Sequence, residues 1–407
     1  MKQRADPGIG SGVSPAGQRL EIHAAAPDGG ADAAGAIVSP GSRFDGASQN
    51  LSDDLARARF EPGAWRSSPP GPTYAALDLG TNNCRLLIAR PASRDVAPPG
   101  FKIVDSFSRI VRLGEGLSQS GRLSDLAIER TLDALSVCKD KMQARNVTRA
   151  RLIATEACRA AENGAEFVAK VQDTLGLDLE IVDRETEAHL AAAGCAALAD
   201  GDAESVILFD IGGGSSEVIW LERGTSGQSA GPGAALRERI RFWVSLKLGV
   251  VTLAEKFGGI EVSDAIFEAM VACVTQELDE FISRAAGRGR CGRFHLLGTS
   301  GTVTTIAGIF LNLTRYDRRR VDGLWMSEED VSQTVERLRK MSYRERVENG
   351  CIGPDRADLV LAGCAILEAI RRAFPAERVR IADRGLREGI LLQLMQADRA
   401  KGRAGQR

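Results

Sequence analysis

The sequence predicts an α/β protein of two lobes with a cleft between them. From residue 74 onward, short apolar runs typical of strands alternate with longer segments of helical apolar spacing. Two of these runs are near-repeats, YAALDLGTNNCRLLIAR at 74–90 and VILFDIGGGSSEVIWL at 206–221. Each repeat ends an apolar run with an aspartate and follows it with a turn rich in glycine and in hydroxyl or amide groups. Because burying an unpaired carboxylate is unfavourable, the repeat predicts two halves of one site.

Composition limits the functional classes. The chain has 407 residues, enough for two domains with their own cores, and its 43% hydrophobic and 26% charged residues are typical of a soluble globular protein. A net charge of −1 gives no general reason to expect a nucleic-acid partner. The eight cysteines occur singly, as in a reduced cytoplasmic protein, and no apolar run is long enough to cross a membrane. We therefore expect a cytoplasmic protein with no nucleic-acid or membrane partner.

Residues 1–72 are predicted to be a disordered, low-complexity segment. Gly, Ala, Pro, Ser and Asp dominate it, and large apolar residues are isolated and without period. Such a segment cannot bury enough surface to offset its ordering entropy. An organelle transit peptide is the weaker alternative, because those peptides avoid acidic residues and this stretch contains several.

The folded region is expected to begin near Tyr74. Its first half predicts, in order, strands in YAALDLG and CRLLIARP, a strand and loop in FKIVDSFSRIVRLGEG, a helix with Ser124 as N-cap, a strand in RLIATEA, a helix over 166–175, a strand in LDLEIVD and a helix over 184–198. Its second half predicts a hairpin in VILFDIGGGSSEVIWL, a strand in RIRFWVSL, a helix over 263–286, a strand in RFHLLGTSG before a helix, and mostly helix after Ser327 up to a last strand and helix. The predicted division is an N-terminal lobe at 73–154 completed by a C-terminal helix at 384–398, a second lobe at 155–383, and a flexible basic tail at 399–407.

The two glycine-rich turns are candidate phosphate cradles. Neither matches a Walker A loop or a dinucleotide fingerprint, and the apolar runs that follow predict β-hairpins. In such turns glycine lets the backbone approach a ligand, and N–H groups and side chains can surround an anion. The alternative is a tight hairpin that needs glycine for its backbone conformation only, but the preceding aspartates favour function. The candidate phosphate-binding residues are Gly80, Thr81, Asn82 and Asn83 in the first turn and Gly212, Gly213, Gly214 and Ser215 in the second.

A third turn has similar chemistry. In FHLLGTSGTVTTIAGI, a strand leads into Gly298, Thr299 and Ser300 and then into a helix, whose free N–H groups can bind an anion. A serine or threonine cap on a buried helix is an equal alternative. Three such turns in one chain predict a ligand with several phosphates.

Carboxylates provide the remaining chemistry. Phosphoanhydride hydrolysis needs a positioned water, a base and positive charge on the phosphate oxygens, commonly from Mg²⁺. Asp78 and Asp210 directly precede their turns and are candidate metal ligands, although each could instead accept hydrogen bonds from its own turn. Asp183 and Glu187 are four residues apart on one helix face and could serve as metal ligand and base, or as an ordinary solvated helix start. Glu156 and Glu217 complete the acidic set.

Several motifs together resemble the Ppx/GppA family of exopolyphosphatases and guanosine pentaphosphate phosphatases. They are DLGTN with Arg85, RLGEGL, ATEACRAAEN, DIGGGSSE, GTSGT and DRGLREGIL, in order from about residue 74 to 394. The resemblance implies two ribonuclease-H-like lobes of the actin, sugar-kinase and Hsp70 superfamily. It also implies that the ATEACR segment supplies the glutamate that activates water, so Glu156 is the first candidate base and Glu187 the second. A serine is expected in the family where Thr81 stands.

A polyanionic substrate requires basic side chains that bind its phosphates. Arg85 and Arg112 gain support as phosphate ligands from the family pattern, and Arg159 follows Glu156 by three residues. Farther on, Arg315 and Arg318–Arg320 could extend a track for a long chain, although such charge runs are usually only solvated. Arg387 and Glu388 are expected to form a structural pair.

The expected function is that of a Mg²⁺-dependent exopolyphosphatase, which releases terminal orthophosphate from inorganic polyphosphate. The alternative substrate is guanosine pentaphosphate; no His-Asp pair follows GLREGILLQLM, and this favours polyphosphate slightly. A superfamily kinase and a non-catalytic sensor of polyphosphate or alarmone are the other classes. The resemblance also suggests a homodimer.

Overall fold

The computed structural model describes residues 71–92, 100–222, 236, 239–286 and 293–404. The predicted disordered segment therefore lies outside the described residues except for its last two positions. The first strand begins at Tyr74, as predicted. The last helix continues to Ala404, so residues 399–404 of the predicted flexible tail are helical, and residues 405–407 lie outside the described ranges.

Eleven strands are described. They are β1 (Tyr74–Leu79), β2 (Asn83–Pro91), β3 (Phe101–Ile110), β4 (Arg149–Ala154), β5 (Leu179–Ile181), β6 (Ser205–Ile211), β7 (Ser216–Glu222), β8 (Ile240–Leu246), β9 (Phe294–Thr299), β10 (Trp325–Ser327) and β11 (Arg378–Ala382).

The described α-helices include the predicted ones in the predicted order. They are α1 (Leu117–Ser120), α2 (Asp125–Ala144), α3 (Glu156–Ala160), α4 (Gly164–Leu175), α5 (Arg184–Cys195), α6 (Val250–Phe257), α7 (Asp264–Ala286), α8 (Ser300–Phe310), α9 (Arg318–Val321), α10 (Glu328–Lys340), α11 (Tyr343–Glu348), α12 (Val360–Ala373) and α13 (Leu386–Ala404). Some of them, such as α1 and α6, were not predicted. The side chain of Ser124 accepts a hydrogen bond from the Ala127 amide at the start of α2, which confirms the predicted N-cap. None of the helices in the described ranges combines the length and apolar character needed to cross a membrane.

The two sheets repeat one topology. The first has the order β3-β2-β1-β4-β5, with β1, β2 and β3 antiparallel and β4 and β5 parallel to β1. The second has the order β10-β11-β9-β6-β7-β8, in which β8-β7-β6-β9-β11 repeats the strand order and directions of the first sheet. Strand β10 is an additional antiparallel edge. This duplication confirms the predicted two-lobe α/β fold of ribonuclease-H-like type.

The strand pairing places the end of the first lobe later in the chain than predicted. The prediction ended the first lobe at residue 154, whereas β5 pairs with β4 inside the first sheet. Buried residues of α4 and β5, including Phe167 and Leu179, also pack in the same core as β1 and β2. The first lobe therefore extends beyond the predicted boundary.

The last helix returns to the first lobe. Helix α13 packs on α5 and β1, where Ile390 and Leu391 are fully buried. A Cβ added at Gly389 would lie 2.0 Å from the Leu190 carbonyl oxygen, so the helices can cross this closely only with glycine at that position. Gly389, the last residue of GLREG, thereby allows the start of α13 to pack closely against α5.

Candidate active site

A cleft between the lobes gathers most of the predicted residues. It contains about 780 Å³ of space free of protein atoms, including space that is open to solvent. Both hairpin turns, the start of α3, the side of α5, the end of β9 and the loop before α13 line it. The predicted residues that line it are Asp78, Gly80, Thr81, Asn82, Asn83, Arg85, Glu156, Glu187, Asp210, Gly212, Gly213, Gly214, Ser215, Thr299 and Ser300.

The two aspartates occupy equivalent positions in the two hairpins. Asp78 lies opposite Arg85 in the β1–β2 pair, and Asp210 lies opposite Glu217 in the β6–β7 pair. The same register position thus carries a cation in one lobe and a carboxylic acid in the other. Since both hairpins face one cleft, one wall offers a phosphate ligand and the other a proton-binding or metal-binding group.

The hairpin turns contact each other across the cleft. A Cβ added at Gly214 would lie 2.6 Å from Thr81 Oγ1 and 3.2 Å from Glu156 Cγ, and one added at Gly213 would lie 3.0 Å from Asn82 N. The second turn therefore needs glycine to approach the first. The described backbone hydrogen bonds do not use the amide groups of Gly213 and Gly214. These amides remain to bind an anion.

The third turn also carries backbone strain. Ser300 has φ 80°, in the left-handed region, which for a residue other than glycine costs about 1–3 kcal/mol. Such strain is concentrated at binding sites, and Ser300 lines the cleft next to Asp210 and Thr299. The predicted Gly298 is buried in β9 against Phe209 and is not among the residues lining the cleft.

Two arginines hold the predicted base. Arg159 binds Glu156 Oε2 through Nε at 3.0 Å and Nη2 at 2.6 Å, and Arg184 Nη2 donates to Glu156 Oε1 at 2.7 Å. Arg159 Nη2 also donates to Glu187 Oε2 at 2.9 Å. Glu156 and Glu187 are therefore neighbours that share one guanidinium group, and Glu156 lies beside both phosphate turns.

The acidic groups of the cleft have raised pKa values. Burial raises the pKa of Asp78 and raises that of Asp210 to about 6, with Asp78 adding to the second shift. Burial also raises the pKa of Glu187 to about 7, and Asp78 and Asp210 add to this rise against the opposing effect of Arg159. Glu217 has only 2% of its surface exposed, and burial raises its pKa well above the ordinary value. The protein alone therefore does not neutralise the negative charge of these carboxyl groups. This is expected where a bound ligand supplies positive charge.

A divalent cation fits two of the three predicted ligands. Among the described residues, no group of three or more His, Cys, Asp or Glu side chains is spaced to hold a metal by itself. Asp183 lies outside the cleft and caps α5, where its Oδ1 accepts the Thr186 amide at 2.6 Å. Asp78 and Asp210 fit the usual mode of Mg²⁺ binding in phosphate enzymes, in which one or two carboxylates share the ion with substrate phosphates.

Three arginines form the basic side of the site. Arg85 and Arg387 line the cleft, and Arg356 lies close to Arg85. Burial lowers the pKa of Arg356 and Arg387, and the charge of Arg85 lowers both further. No side-chain hydrogen bond or ion pair joins any of the three to another described residue. Such a cluster of cations is suited to a ligand that carries several negative charges.

Replacing Arg356 by alanine is expected to raise the KM for a substrate that carries several phosphates about tenfold or more. The change in kcat should be smaller, because a contact between this guanidinium and a phosphate would stabilise the ground state and the transition state alike. Steady-state phosphate release measures both constants. Arg320→Ala is the matched control, since Arg320 is exposed on α9. Equal effects of the two substitutions would contradict a role for Arg356 in binding.

Two other predicted basic residues, Arg112 and Arg318, have structural partners, whereas Arg315, Arg319 and Arg320 are exposed. Arg112 binds Asp358 through two hydrogen bonds of 3.0 and 2.9 Å and lines a different cavity. Arg318 binds Glu388 at 2.8 Å, and Glu388 also accepts the Gly385 amide at 2.9 Å. The predicted pairing of Arg387 with Glu388 is therefore wrong, because Glu388 pairs with Arg318 and Arg387 belongs to the cleft.

Eight residues of the cleft have no functional role that the sequence predicts. They are Thr155, Glu217, Asp383, Arg384, Gly385, Leu386, Arg387 and Glu388. Glu217 was in the acidic set without a role, and its position opposite Asp210 would follow from the predicted hairpin. The DRGLREG residues reach the cleft because α13 returns to the first lobe, which local sequence patterns do not predict.

Comparison with known proteins identifies relatives of most of the chain. A profile described as the Ppx/GppA phosphatase family matches residues 89–398. A protein from Photobacterium profundum named guanosine-5'-triphosphate,3'-diphosphate pyrophosphatase is 29% identical over 336 residues, which are 81% of this chain and 60% of that protein. One of the same name from Aeromonas hydrophila is 28% identical over 80% of this chain and 60% of its own length. The chain thus spans about 60% of the length of these curated relatives.

Solved structures of similar proteins cover the same region. A protein described as exopolyphosphatase-like is 28% identical, with a TM-score of 0.68 over 80% of this chain and 99% of that chain. A Ppx/GppA family member from Aquifex aeolicus is 26% identical, with a TM-score of 0.62 over 80% of this chain and 98% of that chain.

Proposed function

The chain belongs to the Ppx/GppA phosphatase family, and on that basis we propose that its cleft hydrolyses the terminal phosphoanhydride bond of guanosine 5'-triphosphate 3'-diphosphate. The reaction releases orthophosphate and leaves the guanosine tetraphosphate. One observation carries the proposal: two aspartate-glycine hairpins meet around a cleft that also holds two adjacent glutamates and unpaired arginines. The names of the curated relatives favour this nucleotide as substrate.

The phosphate chain would bind between the hairpin turns. The amides of Gly213 and Gly214 and the side chains of Thr81 and Arg85 supply donors from both lobes. Because these groups are fixed by the sheets before substrate arrives, they can stabilise charge on the transferred phosphoryl group with little reorganisation. A divalent cation held by Asp78 and Asp210 would supply further positive charge at the phosphate oxygens.

The glutamate pair would activate water. Glu156 orients the water beside the two turns, and Arg159 and Arg184 fix its carboxylate. The water oxygen bonds to the terminal phosphorus, the bridging P–O bond breaks, and the bridging oxygen leaves with the nucleotide. Glu187, whose pKa of about 7 suits a base at neutral pH, accepts the water proton.

Inorganic polyphosphate is the second candidate substrate. The structural similarity to a protein described as exopolyphosphatase-like, at 28% identity and a TM-score of 0.68, favours it. Arg85, Arg356 and Arg387 would bind a phosphate chain without a nucleoside equally well.

A comparison of orthophosphate release from the two substrates distinguishes them. Orthophosphate release would be measured from guanosine pentaphosphate and from polyphosphate at equal terminal-phosphate concentration, with Mg²⁺ present. We expect a higher kcat/KM for the nucleotide. A higher value for polyphosphate would make that polymer the substrate, and release from neither would contradict the proposed activity.

The rate is also expected to depend on pH through Glu187. A base must be deprotonated, so below its pKa of about 7 the carboxyl is protonated and kcat falls, and kcat rises as pH passes through 7. The residual activity of Glu187→Gln should lack this ascending limb. The same limb in Glu187→Gln would assign the titration to another group.

A further inference from the structure

The residues that lead into helix α13 form one wall of the cleft. The whole segment 383–388 lines it. The Thr299 hydroxyl of the third turn donates to the Arg384 carbonyl at 2.6 Å, so the segment lies directly against that turn. The guanidinium of Arg384 binds the carboxylate of Asp322. Arg387 is therefore the cation of this segment that remains to bind a substrate phosphate.

Arg387 has no partner that fixes its own side chain. It lines the cleft, and within the described ranges no side-chain hydrogen bond or ion pair joins it to another residue. The charge of Arg85 also opposes its charge. A long side chain without partners keeps much of its rotamer freedom, and a ligand must order it. The backbone that carries Arg387 therefore determines where its guanidinium lies before substrate binds.

One guanidinium outside the cleft holds both ends of that backbone. Arg318 Nη2 donates to the Asp383 carbonyl at 2.5 Å and to Glu388 Oε1 at 2.8 Å. The other carboxylate oxygen of Glu388 accepts the Gly385 amide at 2.9 Å. Glu388 has only 4% of its surface exposed, and a carboxylate buried in this way needs a cation as partner. Among the described residues that line the cleft, Arg318 is not included, so it acts on the segment and not on a ligand.

The two arginines that follow Arg318 have different surroundings. Arg319 and Arg320 are exposed on α9, and neither side chain has a hydrogen bond or an ion pair with the rest of the described structure. The sequence suggested the whole run as a track for a long phosphate chain. In the fold, only its first member is joined to the cleft wall.

We propose that Arg318 is a positioning residue, which fixes the segment 383–388 so that Arg387 is placed to bind a substrate phosphate. This role rests on the proposed function, because it supports a phosphate ligand of that reaction. Helix α13 packs on the first lobe, whereas α9 contributes Val321 to the core of the second. Arg318 thereby fixes the start of a helix of one lobe to the other lobe, at the cleft between them.

A double-mutant cycle tests this role, with kcat/KM measured for guanosine pentaphosphate and for inorganic tripolyphosphate. Arg318→Ala should lower both values about tenfold, mainly through KM, because a charge-assisted contact to phosphate is misplaced. In the Arg387→Ala background the same substitution should change them by less than about twofold, because the contact is already absent. Arg318→Lys keeps the charge but not the planar fork, and it should recover part of the loss. Arg319→Ala is the matched control and should leave both values within about twofold.

The results distinguish a failure of this role from a failure of the proposed function. No phosphate release from either substrate by the unmodified chain overturns both. No loss from Arg318→Ala, an undiminished loss in the Arg387→Ala background, or an equal loss from Arg319→Ala overturns the positioning role alone. Melting temperatures of the variants identify misfolding. If Arg318→Ala is unstable, Glu388→Gln decides, because it weakens the same contact and should show the same non-additivity with Arg387→Ala.

Discussion

Replacing Glu156 by glutamine is expected to lower kcat by about 10²-fold or more, because the attacking water loses its orientation. Glutamine keeps the length of the side chain but removes the negative charge that orients water beside the two turns. It also weakens the hydrogen bonds from Arg159 and Arg184. Because the proposed role of Glu156 is to orient the attacking water and not to bind the rest of the substrate, KM should change much less than kcat.

Glu162→Gln is the control for this substitution, because Glu162 lies close in sequence but its side chain is 71% exposed. Circular dichroism and thermal melting of both variants would exclude a folding defect. Full activity of folded Glu156→Gln would remove Glu156 from catalysis. If Glu187→Gln were then inactive, that residue alone would carry the water chemistry.

Replacing Asp210 by asparagine is expected to abolish most activity and to stabilise the fold. Its pKa is raised from 3.8 to about 6 in the folded protein, mainly by burial. A carboxyl with a raised folded pKa destabilises the folded state once pH exceeds the unfolded pKa, and the full effect is present above about pH 6. For this shift the effect is up to about 3 kcal/mol. Asp210→Asn should therefore raise the free energy of unfolding at pH 8, and the gain should shrink toward pH 4.

Asp183→Asn is the matched comparison. Asp183 caps α5 outside the cleft, and asparagine is an equally good N-cap. Its stability and activity should both stay near those of the unmodified chain. Denaturant unfolding at pH 8 and pH 4 without added metal measures the stability of both variants. A loss of stability in Asp210→Asn at pH 8, or inactivity of Asp183→Asn, would contradict these assignments.

The sequence predicts the hairpins because their signals are local. In each lobe a strand, a glycine-rich turn and a second strand lie within one continuous stretch, 74–91 or 205–222. Asp78 and Asp210 and their turns are therefore found without tertiary information. Glu156 follows a predicted strand, and the resemblance to the Ppx/GppA family makes it the first candidate base. The same patterns predict the two-lobe fold, since the hairpin recurs in equivalent order.

Residues that depend on long-range packing were not predictable in the same way. Arg356 and Arg387 reach Arg85 only after the second lobe and α13 have packed against the first. Arg112 has the expected charge for a phosphate ligand, but Asp358, 246 residues away in sequence, binds it. Asp183 has the residue type of a metal ligand, yet the helix it caps determines its direction. The sequence alone shows which side chains are charged, whereas the fold determines which group each charged side chain binds.

The proposed hydrolysis requires the cleft to direct water to the terminal phosphorus of a phosphate chain. Hydrolysis of guanosine pentaphosphate in ¹⁸O-labelled water, followed by mass spectrometry of both products, tests it most directly. We expect one labelled oxygen in each orthophosphate released and none in the remaining nucleotide. Label in the nucleotide, or transfer of the terminal phosphate to an acceptor other than water, would contradict it.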